Sequence, residues 1–251
     1  MDKIEEKLWE RVNKFLPLLL AVPFVKMIAV CNSLAFSTAT FESDIDLFII
    51  AKKNRVYTAH FFANSFLRLF GIRTYGEKKA GQFCLSFFID ESSLNLSKFA
   101  IKNDYYLAYW IYKLAPIADR GILGEFENKN KCILSILGKI GFKIDRSKIK
   151  KSVGSTVFRK LFEILLFKPI GCFFEMIFRK IEMKRIKNRV KIRKCVGDPS
   201  GIFVSDNIIK LHNEDRRLKY RDAYLKLIRN KGPVGFDEDL FISLLKDSHE
   251  K

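Results

Sequence analysis

The sequence predicts an α/β protein, in the wider sense α+β: a small mixed sheet flanked by helices and followed by a mainly helical C-terminal part. Two observations carry this. Three apolar runs rich in β-branched and aromatic residues, 24–30, 44–51 and 83–89, bracket a segment of helical spacing at 56–70. Beyond residue 120, apolar side chains recur mostly at helical intervals. The expected division is therefore 1–120 for a sheet-bearing domain and 121–251 for a helical, basic region.

Taken in order, 2–16 reads as an amphipathic helix, because Ile4, Leu8, Val12 and Leu16 recur every four residues, with Pro17 at its limit. The run 24–30 is a strand, and 33–40, rich in small residues, a turn or short helix. The run 44–51 is a second, buried strand. The helix expected over 56–70 stops at Gly71, and 83–89 is the third strand. Asp104 is a candidate N-cap for a helix over 104–115, with Pro116 beyond its end. The stretch 157–178 is almost entirely apolar, but its charges and the breakers Lys168-Pro169 and Gly171 argue against a membrane span. A last helical segment contains Tyr224.

The formal charge of +18 is uneven: residues 1–120 carry a net +4, and 121–251 a net +14. Such a field draws polyanions: nucleic acid, nucleotides or an anionic membrane. Its densest part is 179–194, nine bases and one acid in sixteen positions, a solvated helix face or a polyanion-binding arm. The five cysteines, Cys31, Cys84, Cys132, Cys172 and Cys195, are scattered without paired spacing, which argues against a disulfide framework and a zinc site and fits a cytoplasmic location. The apolar run 15–25 lacks the positive flank of a signal peptide, since the fourteen residues before it hold four acids against four bases. His60, His212 and His249 show no metal-ligand spacing, and His60 is expected to pack on a helix.

The chemistry concentrates at Ser43-Asp44-Ile45-Asp46. On a strand, Asp44 and Asp46 share a face about 6.7 Å apart. Carboxylates that close repel unless a cation lies between them. Asn32-Ser33 comes after the first strand, with ten residues between Ser33 and Asp44, where a turn offers backbone N–H groups and a hydroxyl to a phosphate.

This combination, Ser33, a ten-residue gap and Asp44-Ile45-Asp46-Leu47 between apolar runs, resembles the polymerase beta type nucleotidyltransferase superfamily, and especially its small bacterial nucleotidyltransferase-domain proteins. The resemblance covers 24–90, roughly a quarter of the chain, and Asn32 stands where that family has glycine. It implies transfer of a nucleoside monophosphate from an NTP to an acceptor, with Asp44 and Asp46 as catalytic metal ligands, Mg2+ (two ions) as cofactor, and Asn32, Ser33 and Ser43 at the nucleotide phosphates. It also implies a third carboxylate on the strand 83–90. By alternation Cys84, Ser86, Phe88 and Asp90 share one face, with Ser86 central and Asp90 further on, either a ligand or a strand-ending cap.

The residues leave three functional readings open. The first is a magnesium-dependent nucleotidyltransferase with NTP as substrate and an acceptor that is a small molecule, a protein or RNA. The second is a degenerate nucleotidyltransferase fold that binds nucleotide or RNA without turnover, motivated by Asn32, Ser86 and the basic arm 179–194. The third is peripheral attachment to an anionic membrane through 157–194, where an apolar stretch adjoins the bases. Arg216 and Arg217 are further candidates for contacting an anionic ligand.

Overall fold

A computed structural model describes residues 3–74, 79–138, 143–150, 153–194, 201–211, 215–229 and 236–247. Cys195, His212 and His249 lie outside the described residues. The fold is α+β, built on a six-stranded mixed sheet. Its strands are β1 (Val25–Cys31), β2 (Ile45–Ala51), β3 (Phe83–Asp90), β4 (Ala115–Asp119), β5 (Ile202–Val204) and β6 (Ile208–Leu211), in the order β4-β1-β2-β3-β6-β5. Among these strands only β2 and β3 run parallel, joined through the helix α3 (Val56–Leu69). Such a connection leaves β2 covered on both faces, which explains its uninterrupted run Ile45 to Ala51 broken by Asp46 alone.

Helices pack on both faces. On one, α1 (Lys3–Leu20), α3 and α8 (Ile170–Lys194) bring Leu16, Tyr57 and Phe178 against Ile28, Leu47 and Phe88. On the other, α4 (Tyr105–Tyr112), α5 (Leu123–Lys129), α9 (Arg217–Arg229) and α10 (Glu238–Asp247) bring Trp110, Phe126, Tyr224 and Phe241 against Met27, Phe48 and Ile89. The first of these helices departs from expectation at its end. Pro17 does not stop α1, which continues to Leu20 because Leu19 and Leu20 are drawn into the core. Asp104 caps α4 as read, its Oδ1 accepting the Leu107 N–H at 2.9 Å.

Three strands escape the sequence reading. Pro116 is the second residue of β4 rather than a residue trailing a helix; a strand paired on one side only tolerates a residue without an N–H. The hairpin β5–β6 pairs with β3, so residues 121–251, though mainly helical, also complete the sheet begun by 1–120. The basic run 179–194 forms the later part of α8. There Arg179 pairs with Asp206 and Arg185 with Glu182, while Lys180, Lys184 and Lys187 are exposed. His60 is buried on α3, its Nδ1 2.9 Å from Glu182 of α8 and its ring against Phe88.

Candidate functional site

The chemistry-bearing residues meet where β1 ends and β2 begins. Antiparallel pairing sets Asp46 beside Cys31, and parallel pairing sets it beside Cys84. Asp44 lies one step before β2, and Asn32 and Ser33 lie just after β1. One carboxylate oxygen each from Asp44 and Asp46 and the Sγ of Cys84 lie within 4.8 Å of one another. Burial, and then the neighbouring Asp46, push the Asp44 carboxyl up to about 7. Burial, followed by the two aspartates, also holds the Cys84 thiol well above its ordinary range, so it is neutral in the metal-free protein.

Asp46 is held from two sides. Asn32 Nδ2 donates to its Oδ2 at 2.8 Å, and Ser86 Oγ donates to its Oδ1 at 3.3 Å. The Asn32 amide is itself oriented by Trp110, whose Nε1–H donates to Asn32 Oδ1 at 2.9 Å. Asn32 has φ 58° and ψ −142°, a backbone conformation that glycine adopts most easily, ahead of the single-turn helix α2 (Ser33–Phe36). Asparagine at this position has a physical role: its side chain braces a carboxylate. Ser33 and Ser43 line the same cleft, and Ser43 Oγ accepts the Thr40 N–H at 2.9 Å, closing the loop between them.

Asp90 is not brought to this cluster. The β2–β3 register slips by one residue between Asp46 and Phe48, where Cys84 and Phe87 stand opposite. Past that bulge the alternation reverses, so Phe88 packs with Leu85 on the α3 side while Phe87 joins Phe48 on the cleft side. Asp90 pairs with Ala51 at the other end of β2, about 17 Å along the strand from Asp46. Its buried carboxylate accepts N–H groups from Asn54 and Ser92, each at 2.9 Å, capping the turn Glu91–Ser93. Alternation alone could not show the extra residue. Among the described residues, Cys84 and Ser86 occupy the place where a third carboxylate was expected.

The cleft has a volume of about 420 Å³, and part of its lining comes from the C-terminal part. Lys210 of β6, Arg216, Arg217 and Tyr220 line it together with Asp44, Asp46 and Lys79, and Lys79 is the lysine whose charge acts on Asp44. Arg217 is committed: it chelates Asp215 through Nε at 2.8 Å and Nη2 at 2.6 Å, and reaches Asp104 at 3.2 Å. That contact holds the Asp215 carboxyl down at about 2. Lys210 is different. Among the described residues no carboxylate lies within ion-pair distance of its Nζ, which sits 5.7 Å above the Phe99 ring. Burial, then Arg217, lowers its pKa, with Asp215 and Asp104 acting in the opposite direction. Lys79 and Lys210 carried no sequence signal, since each is a single lysine in a lysine-rich chain and only the fold aims it at the cleft. In comparisons with known proteins, the chain matches no family model, no curated protein and no solved structure.

Proposed function

We propose that the cleft binds a nucleoside triphosphate as its magnesium complex and transfers the nucleoside monophosphate to an acceptor. The observation that carries this reading is that two carboxylates close enough to share a cation line one cleft with the lysines Lys79 and Lys210. The donor set fits a single hard cation. Magnesium binds through one or two carboxylates together with substrate phosphates, and Asp44 and Asp46 supply those oxygens. The thiol of Cys84 is a soft, protonated group unsuited to it, so two carboxylates and one ion are the reading favoured over two ions. A bound magnesium ion would neutralise the charge that builds on the phosphates and the leaving pyrophosphate.

The chain's own groups would then divide the work. Asp46, fixed by Asn32 and Ser86, sets the position of the ion. Asp44, crowded by Asp46, gives up its proton as the cation binds. Ser33 and the turn after Asn32 would meet phosphate oxygens, and Lys79 and Lys210 of the same lining would offer them positive charge. Phe36, Tyr106 and Trp110 provide the apolar surface for a base or an acceptor.

A second reading is supported by Cys84 and Ser86, which stand where a third acid would help activate an acceptor: the same cleft binds nucleotide and does not turn it over. Calorimetric titration with ATP, CTP, GTP and UTP, with and without magnesium, tests both. Binding that requires magnesium and weakens at least about a hundredfold in Asp44→Asn/Asp46→Asn is expected. Unchanged affinity in that variant sinks both readings. Pyrophosphate release on adding candidate acceptors separates them, since only the transferase produces it.

A further inference from the structure

We propose that the hairpin formed by α7 (Val153–Leu165) and the first half of α8 docks the protein on an anionic membrane surface. The hairpin is anchored on one side only. Phe158 and Phe162 of α7 meet Phe66 and Phe62 of α3, and Phe174 and Phe178 of α8 continue the same aromatic seam. Glu175 accepts the N–H groups of Tyr57 and Thr58, each at 2.9 Å, and the buried Arg55 donates to the carbonyls of Leu166 and Gly171 at the hairpin bend. The outer surface is therefore held in one orientation.

That outer surface is apolar. Leu161, Ile164, Phe167, Ile170, Phe173 and Met176 are each between 53% and 71% exposed. They succeed one another along the outer side of α7, around the bend and down α8, a run of large side chains of the kind that marks an interaction surface. A helix packed on a soluble core normally turns polar residues outward; here a run of large hydrophobic side chains faces outward among a few lysines. No helix among the described residues is long and apolar enough to cross a membrane, so the match is to a surface and not to a span.

Charge selects the occupant. Lys160, Lys168, Lys180 and Lys184 are exposed beside this surface. The hairpin's three carboxylates all turn inward: Glu163 to Arg159 and the Phe24 N–H, Glu175 to the start of α3, Glu182 to His60 and Arg185. An apolar centre with a rim of bases and inward-turned acids fits acyl chains below and anionic headgroups beside them. A second copy of this chain would set the same lysines against one another, and an RNA backbone would leave the phenylalanines wet. The hairpin lies on the sheet face opposite the cleft, so docking leaves the cleft open to solution.

Flotation of the full chain with phosphatidylcholine vesicles, with and without phosphatidylglycerol, tests this. Binding to the anionic vesicles alone is expected, lost in Phe167→Ser/Ile170→Ser/Phe173→Ser, and weakened roughly fivefold per base in Lys180→Gln/Lys184→Gln. Circular dichroism of the triple variant should match that of the native chain, because all three side chains are already exposed. Failure of the native chain to float, or flotation unchanged in the triple variant, overturns the proposal. So does a dimer in sedimentation that the triple variant dissolves while vesicles stay unbound, since the surface then belongs to a second copy.

Discussion

The two faces of the sheet use the same kind of aromatic packing and reach opposite surfaces. On the α4 and α9 side, Phe48, Phe87 and Trp110 close beneath a cleft whose lining concentrates charge: two adjacent carboxylates, crowded enough to raise the pKa of one of them, together with Lys79 and Lys210. On the α3 and α8 side, Phe61, Phe62 and Phe178 close beneath a convex hairpin whose carboxylates are all satisfied and whose exposed side chains are apolar. Unpaired polar groups cost free energy unless a ligand meets them, and exposed apolar groups cost free energy unless a surface covers them. The difference assigns the two faces different partners: a small anion carrying a cation on one, an extended apolar and anionic surface on the other.

The contrast between the faces breaks most easily through the packing under the cleft. Phe48 is fully buried among Phe87, Trp110 and Phe126, so Phe48→Ala is expected to cost about 3–5 kcal/mol in chemical denaturation and to abolish the cleft with it. Charge comes next. Because the folded-state pKa of Asp44 is raised to about 7, the unfolded chain releases that proton first as pH rises from about 4. The contribution of Asp44 to stability is therefore full below about pH 4 and is lost by about pH 7. Asp44→Asn should stabilise the metal-free protein by up to about 4 kcal/mol at pH 8 and leave it unchanged near pH 4, as melts at the two pH values would show. A native chain as stable as the variant at pH 8 would contradict the raised Asp44 carboxyl that burial and the neighbouring Asp46 produce.

Smaller effects sharpen the same contrast. Asn32→Gly relaxes the backbone but releases both Asp46 and Trp110, so stability should shift by no more than about 1 kcal/mol while magnesium-nucleotide affinity drops roughly tenfold. Equal affinity in that variant would remove the bracing role. On the opposite face Ile164→Ser should change stability by less than about 0.5 kcal/mol despite deleting a large hydrophobe, since Ile164 is 71% exposed. A large loss there would mean that the hairpin is covered within the folded chain itself.

Local pattern makes part of the molecule legible in its sequence. The strands β1, β2 and β3, the helix α3 and the Asp104 cap all fall where apolar spacing or a capping residue puts them, and Asn32, Ser33, Ser43, Asp44 and Asp46 do share one cleft. Long-range structure hides the rest. Strands β5 and β6, of three and four residues, are too short to announce themselves and exist because β3 offers an edge. The bulge opposite Asp46 and Phe48 reverses the alternation and sends Asp90 to a cap. Lys210 acquires meaning only when β6 is set beside β3. The run 157–178 carries apolar residues on more than one side, and only the packed structure shows which of them are covered.

The most direct test is diffraction from crystals grown with manganese and a non-hydrolysable nucleoside triphosphate, recorded for the anomalous signal of the metal. A single manganese peak is expected between the carboxylates of Asp44 and Asp46, with the triphosphate running toward Lys210 and no ion at Asp90. A peak elsewhere, or a nucleotide bound away from this cleft, would contradict the assignment of the two aspartates as the metal site.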